Sequence, residues 1–217
     1  MNARLPLVTI PVLLLSTACY ITPDLAALMI YDRQAILNGE YWRLLSGHFV
    51  HFSGTHLTYD LFAFGIVGWI IESKGERYLG LLCLLMALSI STFLFITRPD
   101  MRYYGGLSGL ACGCISYLAL TGIYGKMRQP ALYALVLLCL ITKTGAEVYY
   151  GHSLLPYPGE LSFVPEPMSH LIGIMTIIIF ITIRTVKRSM VTVVRMYNTP
   201  KDMIQKFHIQ CNKGFSK

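Results

Sequence analysis

Four groups of residues carry side chains suited to chemistry. They are Ser108 in Gly105-Gly106-Leu107-Ser108-Gly109, His170 in Ser169-His170-Leu171-Ile172-Gly173, His56 with Asp60, and Lys143 with Glu147. A serine hydroxyl becomes a nucleophile when a neighbouring base takes its proton, and histidine is the commonest base. Ser108 and His170 are therefore a candidate pair, provided the fold brings them together. The i, i+4 spacing of His56 and Asp60 puts both on one helix face, where they can support a developing oxyanion. Lys143 and Glu147 have the same spacing, as a buried ion pair or as a recognition element for a substrate. His48, His51 and His56 lack the spacing of a helical zinc motif, so no metal and no cofactor is expected.

The setting of these groups is unusually apolar. Hydrophobic residues make up 54% of the 217, and charged residues 13%, about half the share of a soluble domain. Six stretches have the length and composition of spanning helices, at about 5–21, 55–71, 78–96, 106–124, 130–149 and 168–186. The second is the least apolar, since Thr55, His56, Thr58 and Asp60 fall in its first turns. The first is read as a retained helix and not a cleaved leader: it is preceded by one charge, Arg4, and Ser16 stands three before Cys19. The expectation is an all-α polytopic membrane protein, with a six-helix membrane domain at 1–188 and a basic cytoplasmic tail at 189–217. Cys19, Cys83, Cys112, Cys114 and Cys139 lie in apolar stretches without a CxxC, as packing residues.

With an inside start, thirteen of the eighteen Lys and Arg fall in cytoplasmic segments or the tail, and four (Arg33, Arg43, Arg98 and Arg102) fall outside. That bias places both termini in the cytoplasm. The net charge of +7 then reports topology and contact with lipid, and nucleic acid is not an expected partner. Two exterior connections are long. In 22–54, Trp42, Phe49 and Phe52 suit a stretch lying at the interface, and 150–167 holds Pro156, Pro158, Pro165 and Pro167 as an irregular loop. Pro167 suits the start of the last helix.

This arrangement gathers the chemistry at one depth. Ser108, His170, and His56 with Asp60 all lie within about two turns of the exterior end of an inward-running helix. Gly105 and Gly106 let the backbone turn into the fourth helix, whose first N–H groups face any developing negative charge. Gly109, Gly113 and Gly173 allow helices to approach closely. Lys143 lies about 20 Å from the inner end of its own helix, in the outer half of the bilayer.

At these residues the chain resembles the rhomboid intramembrane serine proteases. The resemblance is carried by Gly106-Leu107-Ser108-Gly109, His170 to Gly173, His56 to Asp60, and Trp42-Arg43. Gly39-Glu40-Tyr41-Trp42-Arg43-Leu44-Leu45-Ser46-Gly47-His48-Phe49-Val50-His51 and the Lys143–Glu147 pair are more narrowly similar to rhombosortases. The resemblance spans about 38–186. It implies a six-helix fold, a Ser108–His170 dyad without a third Asp, and oxyanion support from His56, Asp60 and the Ser108 N–H. It also implies membrane-anchored substrates with a C-terminal Gly-Gly-type sorting tail, and a bacterial inner membrane location with the site facing the periplasm. Active relatives usually carry Asn at the position of Asp60, and Ile177 replaces a glycine of the last helix. A neutral Asp60 can donate a hydrogen bond as Asn does. The alternatives are a non-catalytic relative that holds transmembrane clients and, less favoured by the intact Ser108 and His170, a small transporter using Lys143 and Glu147.

Overall fold

A computed structural model describes residues 5–125, 129–155 and 166–214. The expected irregular loop at Pro156, Pro158 and Pro165 lies largely outside the described residues. Among the described residues, nine α-helices follow in order: α1 (Thr9–Ile21), α2 (Pro23–Met29), α3 (Arg33–Leu37), α4 (Arg43–Ser46), α5 (Gly54–Ser73), α6 (Leu79–Thr97), α7 (Ser108–Tyr124), α8 (Pro130–Tyr150) and α9 (Pro167–Gly214), with a 3-10 turn at Gly47–Phe49 after α4. Prolines open α2, α8 and α9, where a missing N–H is harmless. The chain divides into two compact units, Met1–Ile178 and Ile179–Lys217, and the site lies in the first. The second contains the rest of α9, whose Ile179, Ile183, Val186 and Met190 are exposed apolar residues.

By length and composition α6, α8 and the Pro167–Val194 part of α9 can cross a membrane, and α1 with α2 makes a fourth span if the pair, bent by 115°, is one. Helix α7 has 17 residues, and the polar first turns of α5 dilute its apolar content. Both cross the core of the unit. Helix α7 packs against α5, α6 and α8, and its Gly109, Ala111, Gly113, Ala119 and Gly122 are buried. A helix hidden nearly all round by small residues is a central helix. Helix α6 covers it with a stripe of Leu82, Met86, Ile90 and Leu94, all fully buried.

Helix α1 packs on α5. The buried Glu72 carboxylate, near the end of α5, accepts from the N–H groups of Val8 and Thr9 at 2.9 Å and from Thr9 Oγ1 at 2.6 Å. It thereby satisfies donors that every helix start leaves open, and a negative charge there is favourable.

The long first connection is folded onto the bundle. Arg43, 8% exposed, donates Nε to Glu40 at 2.7 Å and Nη1 to the carbonyls of Ala27 and Ile30 at 2.9 and 2.8 Å. Ser46 Oγ donates to Met29 O at 2.6 Å, and Trp42 Nε1 to Leu28 O at 3.3 Å. Trp42 and Arg43 therefore fasten this segment to the end of α2. A two-residue antiparallel pairing joins β1 (Tyr31–Asp32) to β2 (Tyr103–Tyr104), just before α7. Gly47 fits against it: an added Cβ would lie 2.7 Å from Tyr31 Cβ. His48, fully buried, places Nε2 3.1 Å from Ala87 O and 3.0 Å from Ser91 Oγ of α6.

Candidate active site

Ser108 opens α7 and His170 lies in the first turn of α9, as their flanking glycines and Pro167 predict. The two helix starts meet almost backbone to backbone. A Cβ added to Gly109 would lie 3.0 Å from Ser169 O, and one added to Gly173 would lie 2.2 Å from Gly109 O. A side chain at Gly173 would force apart the helices that carry Ser108 and His170, and one at Gly109 would displace the Ile90 side chain and crowd the Ser169 carbonyl. The start of α9 is also held from α6, because Arg98 pairs with Glu166. Glu166 in turn accepts at Oε1 from Met168 N at 3.3 Å and at its carbonyl from Ser169 Oγ at 2.7 Å.

Ser108 and His170 line one cavity of about 560 Å³. Its other walls are Tyr59, Asp60 and Ala63 of α5, Ala111, Cys112 and Ile115 of α7, and Leu135, Val136, Cys139, Leu140 and Lys143 of α8, with Leu155 beyond. An apolar chamber with a few polar groups at one end suits a peptide segment emerging from lipid.

The polar end is built around Asp60, which is 5% exposed. Its Oδ2 lies 3.3 Å from His56 Nε2, as the i, i+4 spacing predicts, and 3.1 Å from His51 Nε2. The second contact comes from the loop and is not predictable from helical spacing. His51 Nδ1 lies 3.2 Å from Phe49 O, and Leu107 N points to His51 Nε2 at 3.4 Å. His56 N donates to Ser53 Oγ, the N-cap of α5, at 3.1 Å. Gly106 stands over this group with φ +125°; an added Cβ there would lie 2.7 Å from His56 Nε2. Only glycine suits both that backbone and that gap. Among the described residues, His51, His56 and Asp60 are the set that offers three metal-type ligand atoms, all within 4.8 Å. Helical spacing gives no sign of this trio, because His51 lies five residues before His56, across a loop.

Lys143 Nζ lies 2.8 Å from Glu147 Oε2, as expected for an ion pair. The same Oε2 is 2.9 Å from His170 Nδ1. The resemblance implied a histidine without a third acidic residue, and here a buried carboxylate contacts it. Trp42 and Arg43 do not line the cavity, and their contacts are those of a clamp on α2.

Outside the membrane segments, burial lowers the pKa of His48 to about 4, against its hydrogen bonds to backbone carbonyls. Burial likewise pushes the Tyr104 phenol up.

The Rhomboid domain matches residues 38–187, and the chain belongs to the rhomboid family. With its apolar helices, this makes it a multi-pass membrane protein in a family that is in general one of intramembrane serine proteases. No curated protein matches the chain.

Proposed function

We propose that this chain is an intramembrane serine endopeptidase of the rhombosortase type, which cuts the C-terminal Gly-Gly-type sorting tail of exported, membrane-anchored proteins. The observation that carries the reading is the placement of Ser108 and His170 on the walls of one cavity, at a helix crossing that admits only glycine. In this reading six segments span a bacterial inner membrane, 1–188 forms the membrane domain, and 189–217 is a cytoplasmic tail. Both termini are cytoplasmic, and the site opens to the periplasm.

A substrate helix unwinds at its small residues and enters the cavity past α8. His170 Nε2 takes the Ser108 Oγ proton as Oγ bonds to the scissile carbonyl carbon. The oxyanion is met by the Ser108 N–H, at the positive end of the α7 dipole, and by His56, which Asp60 and Gly106 hold in place. His170 passes the proton to the leaving amine as the C–N bond breaks. Water, deprotonated by His170, then hydrolyses the acyl-enzyme, and Ser108 regains its proton.

The test is cleavage, in proteoliposomes, of a reporter ending in Gly-Gly, an apolar helix and basic residues. Ser108→Ala and His170→Ala should each abolish cleavage while the protein accumulates normally. The double variant should be no worse than either single one, because the two residues act as a unit. Undiminished cleavage by Ser108→Ala would refute the serine mechanism.

A further inference from the structure

We infer that Glu147 is a positioning residue for His170, so that Ser108, His170 and Glu147 form a Ser–His–Glu triad inside the membrane domain. The inference rests on the reading of Ser108 and His170 given above. Glu147 is fully buried, and its two oxygens face four donors. Oε2 takes His170 Nδ1 at 2.9 Å and Lys143 Nζ at 2.8 Å, while Oε1 takes Leu154 N at 3.1 Å and Ser153 Oγ at 3.3 Å. An ionised carboxylate only accepts hydrogen bonds. His170 Nδ1 must therefore carry its proton, which leaves the lone pair on Nε2, the atom a general base needs.

A simple ion pair with Lys143 does not require this geometry. Helix α8 ends at Gly151, whose φ of +71° turns the chain back so that Ser153 and Leu154 reach Oε1. The carboxylate is thus gripped from the loop side, from Lys143 and from His170, twenty-three residues away. Lys143 offsets its charge, so the main effect is to hold the ring and its tautomer. When Ser108 gives its proton to Nε2, the Nδ1–H stays bonded to Oε2 and Glu147 remains a carboxylate.

The decisive variant replaces the whole pair with apolar residues, Lys143→Met with Glu147→Leu. Such a swap generally preserves stability, whereas removing one partner strands a buried charge. If Glu147 served only the ion pair, this double variant would react like Lys143→Met with Glu147→Gln, which makes the same change in the cavity wall but keeps an acceptor for His170. The probe is a fluorophosphonate, which Ser108 Oγ attacks at phosphorus with loss of fluoride. In detergent-purified full chain, the double variant should show a maximal labelling rate lower than wild type by about 10²- to 10⁴-fold, and lower than the Lys143→Met, Glu147→Gln reference. Glu147→Gln, which keeps an acceptor oxygen, should fall between the double variant and wild type. A double variant labelling within about threefold of the reference overturns the inference. If the double variant fails to accumulate, a Glu147→Gln protein as fast as wild type overturns it instead. Wild-type protein that does not label at Ser108 refutes the serine-protease reading itself, a different outcome from either.

Discussion

Asp60 Oδ2 touches the Nε2 atoms of two histidines, and the hydrogen-bond inventory limits what that contact can be. His51 Nδ1 faces the Phe49 carbonyl and so holds a proton. The 3.1 Å contact between His51 Nε2 and Asp60 then contains one shared proton, on either the imidazole or the carboxyl. Both forms have the same net charge of zero, so the pair does not oppose an oxyanion beside it. Asp60→Asn preserves that neutrality and the hydrogen bonds, and should keep most of the activity. Asp60→Leu removes the support for His56 and should cost about 10²- to 10³-fold. His51→Leu leaves an unbalanced carboxylate in the site; it should be severe alone and much milder combined with Asp60→Asn. A double-mutant cycle on cleavage rates measures this coupling. Additive losses would mean that His51 does not neutralise Asp60.

Between elements, the first connection is tied to α6 by a histidine that must stay neutral. When that loop detaches, His48 returns to about 6.5, the ordinary histidine value, from about 4 in the folded protein. The detached form therefore binds more protons between those values. Stability conferred by the docked loop is complete above about pH 6.5 and falls as the pH drops towards 4, by about 3 kcal/mol in all. Thermal unfolding in detergent across pH 4 to 7.5 should show this decline, and His48→Gln should flatten it even if its stability is lower throughout. The α7–α9 crossing gives a second prediction. Gly173→Ala places a methyl group against Gly109 O and should cost about 1–3 kcal/mol as overpacking, with labelling of Ser108 lost in parallel. The helix starts behind these arguments are legible in the sequence, because glycines before Ser108 and Pro167 before His170 punctuate apolar runs. The partners of those side chains are not. His51 reaches Asp60 from a loop, and Glu147 reaches His170 from another helix, so neither contact leaves a periodic trace. Of the six apolar runs, α5 is diluted by the polar groups of its first turns and α7 has only 17 residues, so neither stands out as a span by length and composition.

For the molecule as a whole, orientation decides which compartment Ser108 serves. In a protein whose six native cysteines are replaced, His152→Cys should react from outside with an impermeant thiol reagent in intact cells, and Val194→Cys only after permeabilisation. The reverse pattern would put Ser108 at the cytoplasmic face and exclude exported sorting tails as substrates. The bond from Glu72 to the start of α1 bears on how such a chain is made. Val8 and Thr9 emerge from the ribosome more than sixty residues before the carboxylate that satisfies them. Until the residues of α5 have been made, the first amides of α1 lack the carboxylate that receives them in the folded protein. A chain halted before Glu72 should therefore be degraded faster in the membrane than one halted after α5, and Glu72→Leu in the longer chain should remove that difference, which a pulse-chase of the two arrested chains measures.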